Sequence, residues 1–249
     1  MSAIALPLDV EQFVRYQIAN ATMRTYPYPH FYVRPVFPED FYAELMRRLP
    51  PIEALERLSF ATGPRFVGTL EAVRDHAGSA EGSALWSGLA QWLLGDAFRD
   101  LICQRFAKYT WRRFGKDVSQ RLEVESRYVR DFTEYYIGPH TDTPAKLVSL
   151  LFYLPRDESL RELGTSMYAP KDPNFRCAGT KWYKFSSFRR IATMEFMPNS
   201  LFGFFKTDQS FHGVEQVTRT DIERNCLLYN IYVKPTSAES QQEYKQDAA

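Results

Sequence analysis

The first 120 residues carry the periodicity of amphipathic helices. The stretch "DVEQFVRYQIANAT" starts at the candidate N-cap Asp9 and repeats apolar residues at helical spacing: Val10, Phe13, Val14 and Ile18. A second helix is predicted in "FPEDFYAELMRRLPP", which has acidic residues at its start and a proline pair at its end. Between them, "TYPYPHFYVRPVF" is too rich in proline for a helix and predicts an extended segment. A third helical stretch runs from Ala84 to about Phe114, where Gly88 and Gly95 are expected to kink or divide it.

After residue 120 the apolar residues take the spacing of β-strands. Short runs follow one another between turn residues: "RLEVESRYV", "KLVSLLFYL", "RIATMEF", "SLFGFF" and "NCLLYNIYV". Consecutive strands without intervening helices favour a β-sandwich or jelly roll. The sequence therefore predicts an α+β chain with a mainly β core. We expect a helical N-terminal support region at 1–120, a jelly-roll core at 121–235 and a polar tail at 236–249.

Charge and composition narrow the possible partners. The chain has 31 basic and 30 acidic residues in 249, so no excess of basic charge suggests a nucleic-acid partner. No stretch reaches the roughly 18 apolar residues of a membrane span, and the N-terminal stretch does not resemble a signal peptide. The three cysteines are scattered and form no CxxC pair, which is typical of a reduced chain. We expect a cytoplasmic protein with neither nucleic-acid nor membrane partners.

One of the four histidines lies two residues before an aspartate, in "YYIGPHTDTPAKLVSLLFYLP". His140 and Asp142 precede a predicted strand, and in extended chain residues i and i+2 project to the same side. A simple turn would explain the same stretch, because Gly, Pro, Thr and Asp are common in turns. His212 follows another predicted strand. His30 and His76 lie in the proline-rich segment and a polar loop, and we expect both at the surface.

The chain between His140 and His212 is long enough for several strands to bring the two histidines together. Two imidazoles and the Asp142 carboxylate suit a divalent transition metal. Such a set, with three coordination positions left open, is the facial triad of non-haem Fe(II) oxygenases.

A candidate anion-binding residue begins the last predicted strand. If Arg224 faces the interior, alternation sends three further residues inward: Cys226, Leu228 and Asn230. A buried guanidinium needs an anionic partner because an unpaired buried charge is costly. A dicarboxylate would supply this partner through paired hydrogen bonds.

Four ordered blocks resemble the 2-oxoglutarate- and Fe(II)-dependent dioxygenases of the prolyl-hydroxylase type. They are His140-Thr141-Asp142, "LLFYLP", "MEFMPNSLFGFFKTDQSFHGVEQV" and "RNCLLYNIYV", and the likeness spans residues 124–233. The resemblance implies a double-stranded β-helix, which is a jelly roll, with Fe(II) held by His140, Asp142 and His212.

The resemblance also implies a cosubstrate site. Arg224, rather than Arg219, is expected to bind the distal carboxylate of 2-oxoglutarate, because Arg224 begins a strand and Arg219 lies in a loop. Tyr153 and Tyr128 match tyrosines that face this cosubstrate, although both are also readily explained as ordinary core residues.

The activity implied by the resemblance is the hydroxylation of a C–H bond with O2, while 2-oxoglutarate is converted to succinate and CO2. Ascorbate is expected to stimulate such an enzyme. The substrate is a small molecule or a peptidyl residue that the sequence does not identify. Three alternatives stay open: a cupin-like metal enzyme that does not use 2-oxoglutarate, a zinc hydrolase, and a non-catalytic jelly-roll binding module.

An insert between Glu158 and Arg190 mixes aromatic and basic residues, as in "KWYKFSSFRR". Inserts of this length between core strands commonly form lids or binding elements. We expect it to cover the iron site, with three residues contacting the substrate: Trp182, Tyr183 and Lys184. The alternative is an edge hairpin that packs on the core through Trp182 and Phe185.

Overall fold

The computed structural model describes residues 6–59, 62–179 and 181–234. The tail predicted at 236–249 lies outside these ranges. Five α-helices form within them: α1 (Leu8–Asn20), α2 (Glu39–Arg47), α3 (Leu70–Asp75), α4 (Ala80–Leu93) and α5 (Asp96–Phe114). The same residues form eleven strands: β1 (His30–Val33), β2 (Glu56–Arg57), β3 (Arg65–Thr69), β4 (Leu122–Phe132), β5 (Ile137–His140), β6 (Lys146–Tyr153), β7 (Thr165–Pro170), β8 (Phe188–Met194), β9 (Ser200–Phe205), β10 (His212–Val214) and β11 (Glu223–Val233).

The helices follow the predicted periodicity, with differences at their ends. α1 begins after Pro7 rather than at Asp9, which lies in the first turn, where its negative charge favours the positive end of the helix. The long helical stretch divides at Gly95, the N-cap of α5, whereas Gly88 lies buried inside α4. α4 starts earlier than expected because the hydroxyl of Ser79 accepts a hydrogen bond from the Gly82 amide. None of the described helices has the length and apolar character needed to cross a bilayer.

Two antiparallel sheets form the β part of the fold. The larger has the order β1-β9-β6-β11-β4-β3-β2, and the smaller has the order β5-β10-β7-β8. β11 pairs with β4 along all eleven of its residues and with β6 on its other side. The mainly β core behind an N-terminal helical layer is therefore confirmed. The region 1–120 is not purely helical, however, because it adds β1, β2 and β3 to the larger sheet.

Several strands could not be predicted from the sequence, for physical reasons. β5 and β10 have only four and three residues, which is too few to display alternation. β7 lies inside the segment 158–190 that was predicted to be an insert, so this part of the prediction was wrong. The sequence of β7 shows no alternation of polar and apolar residues, because five of its six residues are buried, including the polar Thr165 and Ser166. The segment between β7 and β8 thus runs only from 171 to 187.

The main hydrophobic core joins the helices to one face of the larger sheet. The Trp86 ring of α4 packs edge-on against Tyr128 of β4, and Phe98 of α5 packs edge-on against Tyr229 of β11. A second, smaller cluster of buried residues includes members of both sheets: Tyr153, Met167, Phe202, Phe204 and Cys226. The larger sheet is therefore buried on both faces, with helices on one side and the smaller sheet on the other.

Trp86 offers a test of how firmly the helical layer is bound to the sheet. Its side chain is fully buried, and its indole N–H donates to the carbonyl oxygen of Arg48 at 2.7 Å. Trp86→Ala should lower the free energy of unfolding in urea by about 3–5 kcal/mol. Trp111, which is 52% exposed, is the matched control, and Trp111→Ala should cost about 1 kcal/mol or less. Equal losses in the two variants would contradict this packing.

Candidate active site

A cavity of about 760 Å³ lies between the two sheets. It gathers most of the residues singled out from the sequence: His140, Asp142, Tyr153, Trp182, His212 and Arg224. Alternation along β11 also brings the expected neighbours of Arg224 to the cavity wall: Cys226, Leu228 and Asn230.

The three candidate metal ligands meet because two short strands pair. His140 of β5 and His212 of β10 are cross-strand partners, and their ring centroids lie 4.3 Å apart. Asp142 lies two residues after the end of β5, and one potential ligand atom from each of the three residues lies within 4.8 Å of the others. A metal ion with bonds of about 2.0–2.2 Å to nitrogen and oxygen requires donor atoms gathered in this way.

Backbone carbonyls orient both imidazoles for metal binding. Nδ1 of His140 lies 3.0 Å from the carbonyl oxygen of Gly138, and Nδ1 of His212 lies 2.9 Å from that of Ser210. Only a protonated Nδ1 can donate to a carbonyl, so the Nε2 atom of each neutral ring keeps a lone pair. Burial lowers the pKa of both side chains, to about 3 for His140. Both rings are therefore neutral at physiological pH, as metal ligation requires.

The Asp142 carboxylate is ionised and held in place. Lys146 lies 3.0 Å from Oδ1, and the Ser149 hydroxyl donates to Oδ2 at 2.8 Å. Burial opposes ionisation of this carboxyl, but the charge of Lys146 holds the pKa of Asp142 below its usual range. Oδ2 also lies 3.9 Å from Nε2 of His212. The carboxylate therefore stands beside the imidazoles with the hydrogen bonds that ligating carboxylates commonly have.

Arg224 lies at another part of the cavity wall. Its side chain is 4% exposed, and it donates to Oδ2 of Asp131 at 2.7 Å and to the Leu163 carbonyl oxygen at 2.8 Å. Arg219 instead lies on the surface, where it pairs with Glu162 at 3.0 Å. Of the two arginines considered from the sequence, only Arg224 is positioned to meet a ligand in the cavity.

The two predicted tyrosines face opposite sides of the larger sheet. Tyr153 lines the cavity, and its hydroxyl oxygen accepts from the Thr165 amide at 3.2 Å, which leaves the hydroxyl proton available. The prediction that Tyr128 faces the cosubstrate was wrong. Its neighbour Val129 lines the cavity, so the pleat turns Tyr128 to the helices, where its hydroxyl donates to Asn225 at 2.5 Å.

The aromatic and basic segment contributes one residue to the cavity. Trp182 is 49% exposed, forms a backbone bridge with His140 and lies edge-on to Tyr136 at the cavity wall. Tyr183 and Lys184 do not line the cavity, contrary to prediction: Tyr183 packs against Phe211, and Lys184 is exposed. The segment therefore packs on the smaller sheet while it presents Trp182 at the cavity.

The remaining histidines lie apart from this group. His76 is exposed at the end of α3, as expected. His30 is buried in β1 rather than at the surface, because β1 pairs with β9 and the His30 ring packs edge-on against Phe202 of that strand.

Arg65 and Asp131 are among the charged residues of the cavity that the sequence did not predict. Arg65 lies 3.3 Å from Oδ1 of Asp131, donates to the Tyr135 hydroxyl and stacks over the Tyr135 ring at 4.7 Å. Asp131 could have been found by continuing the alternation along β4 past Val129. Arg65 carried no such signal, because β3 is a five-residue strand in a region predicted to be helical.

Asp131 should be a strong determinant of stability. Its carboxylate is almost fully buried between two guanidinium groups, and loss of one member of a buried ion pair typically costs about 3–5 kcal/mol. Asp131→Asn should lower the free energy of unfolding by this amount in urea titrations. Glu162→Gln removes an exposed ion pair and should change it by about 1 kcal/mol or less. Similar effects of the two variants would contradict the buried pairing.

Comparisons with known proteins give matches in structure only. No protein-family model and no curated protein sequence matches the chain. The epimerase SnoN, in a crystal structure with Fe3+, α-ketoglutarate and nogalamycin RO, has a TM-score of 0.51 and 13% sequence identity, with 93% of this chain and 88% of that chain covered. A Pseudomonas putida prolyl-4-hydroxylase has a TM-score of 0.48 and 16% identity, with 89% and 98% covered. The likeness to SnoN shows that this chain has the same fold.

Proposed function

We propose that the chain is a Fe(II)- and 2-oxoglutarate-dependent oxygenase of the prolyl-hydroxylase type, which hydroxylates a C–H bond of a small-molecule or peptidyl substrate. One observation carries the proposal. A single cavity contains two neutral imidazoles and a carboxylate in one cluster, and a buried guanidinium elsewhere on its wall.

The strand order supports a double-stranded β-helix. From β4 onward, the strands divide between the sheets, with β4, β6, β9 and β11 in one and β5, β7, β8 and β10 in the other. Eight strands in two facing antiparallel sheets are the architecture of a jelly roll. We propose that these eight strands form the jelly-roll core predicted at 121–235, of which residue 235 lies outside the described ranges.

The side chains of the His140, Asp142 and His212 cluster fit an iron ion. His140 and His212 would contribute Nε2 atoms and Asp142 a carboxylate oxygen, while Lys146 and Ser149 would hold the carboxylate in place. Two histidines and one carboxylate leave open positions on iron for other ligands. When bound, iron, O2 and 2-oxoglutarate supply the oxidation of a C–H bond, with release of succinate and CO2.

The cavity wall around Arg224 fits a carboxylate. Arg224 is buried, and burial raises the pKa of Tyr153, so its hydroxyl keeps a proton to donate. The hydroxyl oxygen of Thr165 is buried without a hydrogen-bond partner among the described residues. Buried polar groups normally find partners, so Tyr153 and Thr165 support a polar ligand at this point. We propose that all three side chains bind the distal carboxylate of 2-oxoglutarate.

The rest of the wall would position the substrate and exclude water. Leu151, Leu228 and Phe204 give apolar surface. Trp182 forms a backbone bridge with His140 and packs edge-on against Tyr136. We propose that Trp182 contacts the substrate. A small-molecule substrate agrees with SnoN, whose crystal structure contains nogalamycin RO. The three cysteines are free, which is compatible with the cytoplasmic location that we propose.

Enzyme activity tests the proposal directly. Purified protein with Fe(II), ascorbate, O2 and 2-oxoglutarate should form succinate, and His212→Ala should abolish this reaction while the fold is retained. His76→Ala changes an exposed histidine far from the cluster and should leave the rate unchanged. Full activity of His212→Ala would contradict the metal assignment. Metal binding without any use of 2-oxoglutarate would favour a cupin-like enzyme or a zinc hydrolase, and no metal binding would favour a binding module.

Arg224→Gln should raise the KM for 2-oxoglutarate strongly. Loss of a charge-assisted contact to a buried carboxylate costs about 2–5 kcal/mol, which corresponds to roughly 30-fold or more. Arg219→Gln, a change in an exposed arginine, should leave the KM within about twofold. Steady-state measurements of succinate release compare the two variants. The opposite ranking would show that the cosubstrate binds elsewhere.

A further inference from the structure

Three charged residues lie side by side on neighbouring strands of the larger sheet: Asp131 and Arg224 are buried, and Arg65 is partly buried. Asp131 of β4 is the cross-strand partner of Arg65 on β3 and of Arg224 on β11. Both arginines form ion pairs with it, at 3.3 Å from Arg65 and 2.7 Å from Arg224. Because the three residues share one row of the pleated sheet, their side chains project to the same face, and all three line the cavity.

The charges in this row do not balance. Within the described part of the chain, Asp131 is the one carboxylate that pairs with either guanidinium. The other two carboxylates that line the cavity are engaged elsewhere, Asp142 by Lys146 and Glu125 by Arg127. Two positive groups and one negative group therefore leave one net positive charge in the row. A buried charge without a counterion is costly, so the row favours an anionic ligand.

Contacts with Tyr135 and Asp131 fix the Arg65 guanidinium at the cavity wall, where it can meet such a ligand. Its side chain is 19% exposed, and Tyr135 fixes it through a hydrogen bond to the hydroxyl and through the ring face. Burial disfavours the charge of Arg65, but Asp131 raises the pKa of this group above its usual value. The guanidinium thus stays charged and fixed at the cavity wall, one strand away from the Asp131 carboxylate that also orients Arg224.

We propose that Arg65 is a second cosubstrate-binding arginine, so that Arg65 and Arg224 together hold the distal carboxylate of 2-oxoglutarate. Asp131 acts as the positioning residue for both guanidinium groups. The inference rests on the proposed function and extends it to a residue outside the segment 124–233 that carries the family resemblance. With the carboxylate bound, two positive and two negative groups meet, and the charge of the row is neutral.

Ligand binding separates this role from a structural one. Calorimetric titrations of the Mn(II)-loaded protein would compare 2-oxoglutarate with 2-oxobutyrate, which keeps the metal-chelating 2-oxo acid but lacks the distal carboxylate. Arg65→Gln should weaken binding of 2-oxoglutarate about tenfold or more, since one charge-assisted hydrogen bond is lost. Binding of 2-oxobutyrate should change less than twofold.

Two further variants complete the test. Arg65→Lys keeps the charge but loses the planar fork of donors, and it should fall between the wild type and Arg65→Gln. It also serves if Arg65→Gln does not fold. Arg161→Gln removes an exposed arginine paired with Glu195 and should leave the affinities for both acids unchanged.

The possible outcomes distinguish this inference from the function on which it rests. Unchanged 2-oxoglutarate affinity in Arg65→Gln, or equal weakening for both acids, would overturn the role of Arg65 and leave the proposed function standing. Failure of the wild-type protein to bind 2-oxoglutarate at all would overturn both. Weakening confined to 2-oxoglutarate would support the second arginine.

Discussion

The alternation of side chains along β11 connects the helical core to the cavity, because each face of this strand lines one of them. β11 lies between β4 and β6 in the larger sheet, and a shift of one residue would exchange its two faces. On one face Leu227, Tyr229 and Ile231 are buried in the main core with the helices. On the other face Arg224, Cys226 and Leu228 line the cavity. The packing of the helical layer therefore fixes which residues reach the candidate active site.

Charge pairing organises the two parts of the cavity separately. Lys146 pairs with Asp142 beside the two histidines, and Asp131 pairs with Arg224 and Arg65. In the first part the lysine keeps a carboxylate ionised for a metal. In the second part the excess of guanidinium groups favours an anion. A ligand with a metal-chelating group and a carboxylate would satisfy both parts, and 2-oxoglutarate has this composition.

The sequence predicted those parts of the molecule that depend on local pattern. The pair His140 and Asp142 was visible from its spacing, and Arg224 from its place at the start of a strand. Strand alternation also predicted the inward direction of Cys226. The same alternation turns Tyr128 to the helices, because its neighbour Val129 lines the cavity. For the direction of the Tyr128 side chain, the pleat of the sheet is a better predictor than agreement with the family pattern.

The parts that the sequence did not predict arise from pairing between distant segments. Arg65 reaches the cavity only because β3 joins the edge of β4, and nothing in its five residues indicates that partner. His30 looked like a surface residue of a proline-rich segment, yet pairing of β1 with β9 buries it. Such contacts follow from the fold as a whole and cannot be predicted from a short stretch of sequence.

A crystal structure of the protein with Mn(II) and 2-oxoglutarate would show directly whether one cavity holds a metal and a dicarboxylate together. We expect a metal ion on His140, Asp142 and His212, with the 2-oxo acid group on the metal and the distal carboxylate at Arg224. A metal bound at other residues, or 2-oxoglutarate bound away from Arg224, would contradict this expectation.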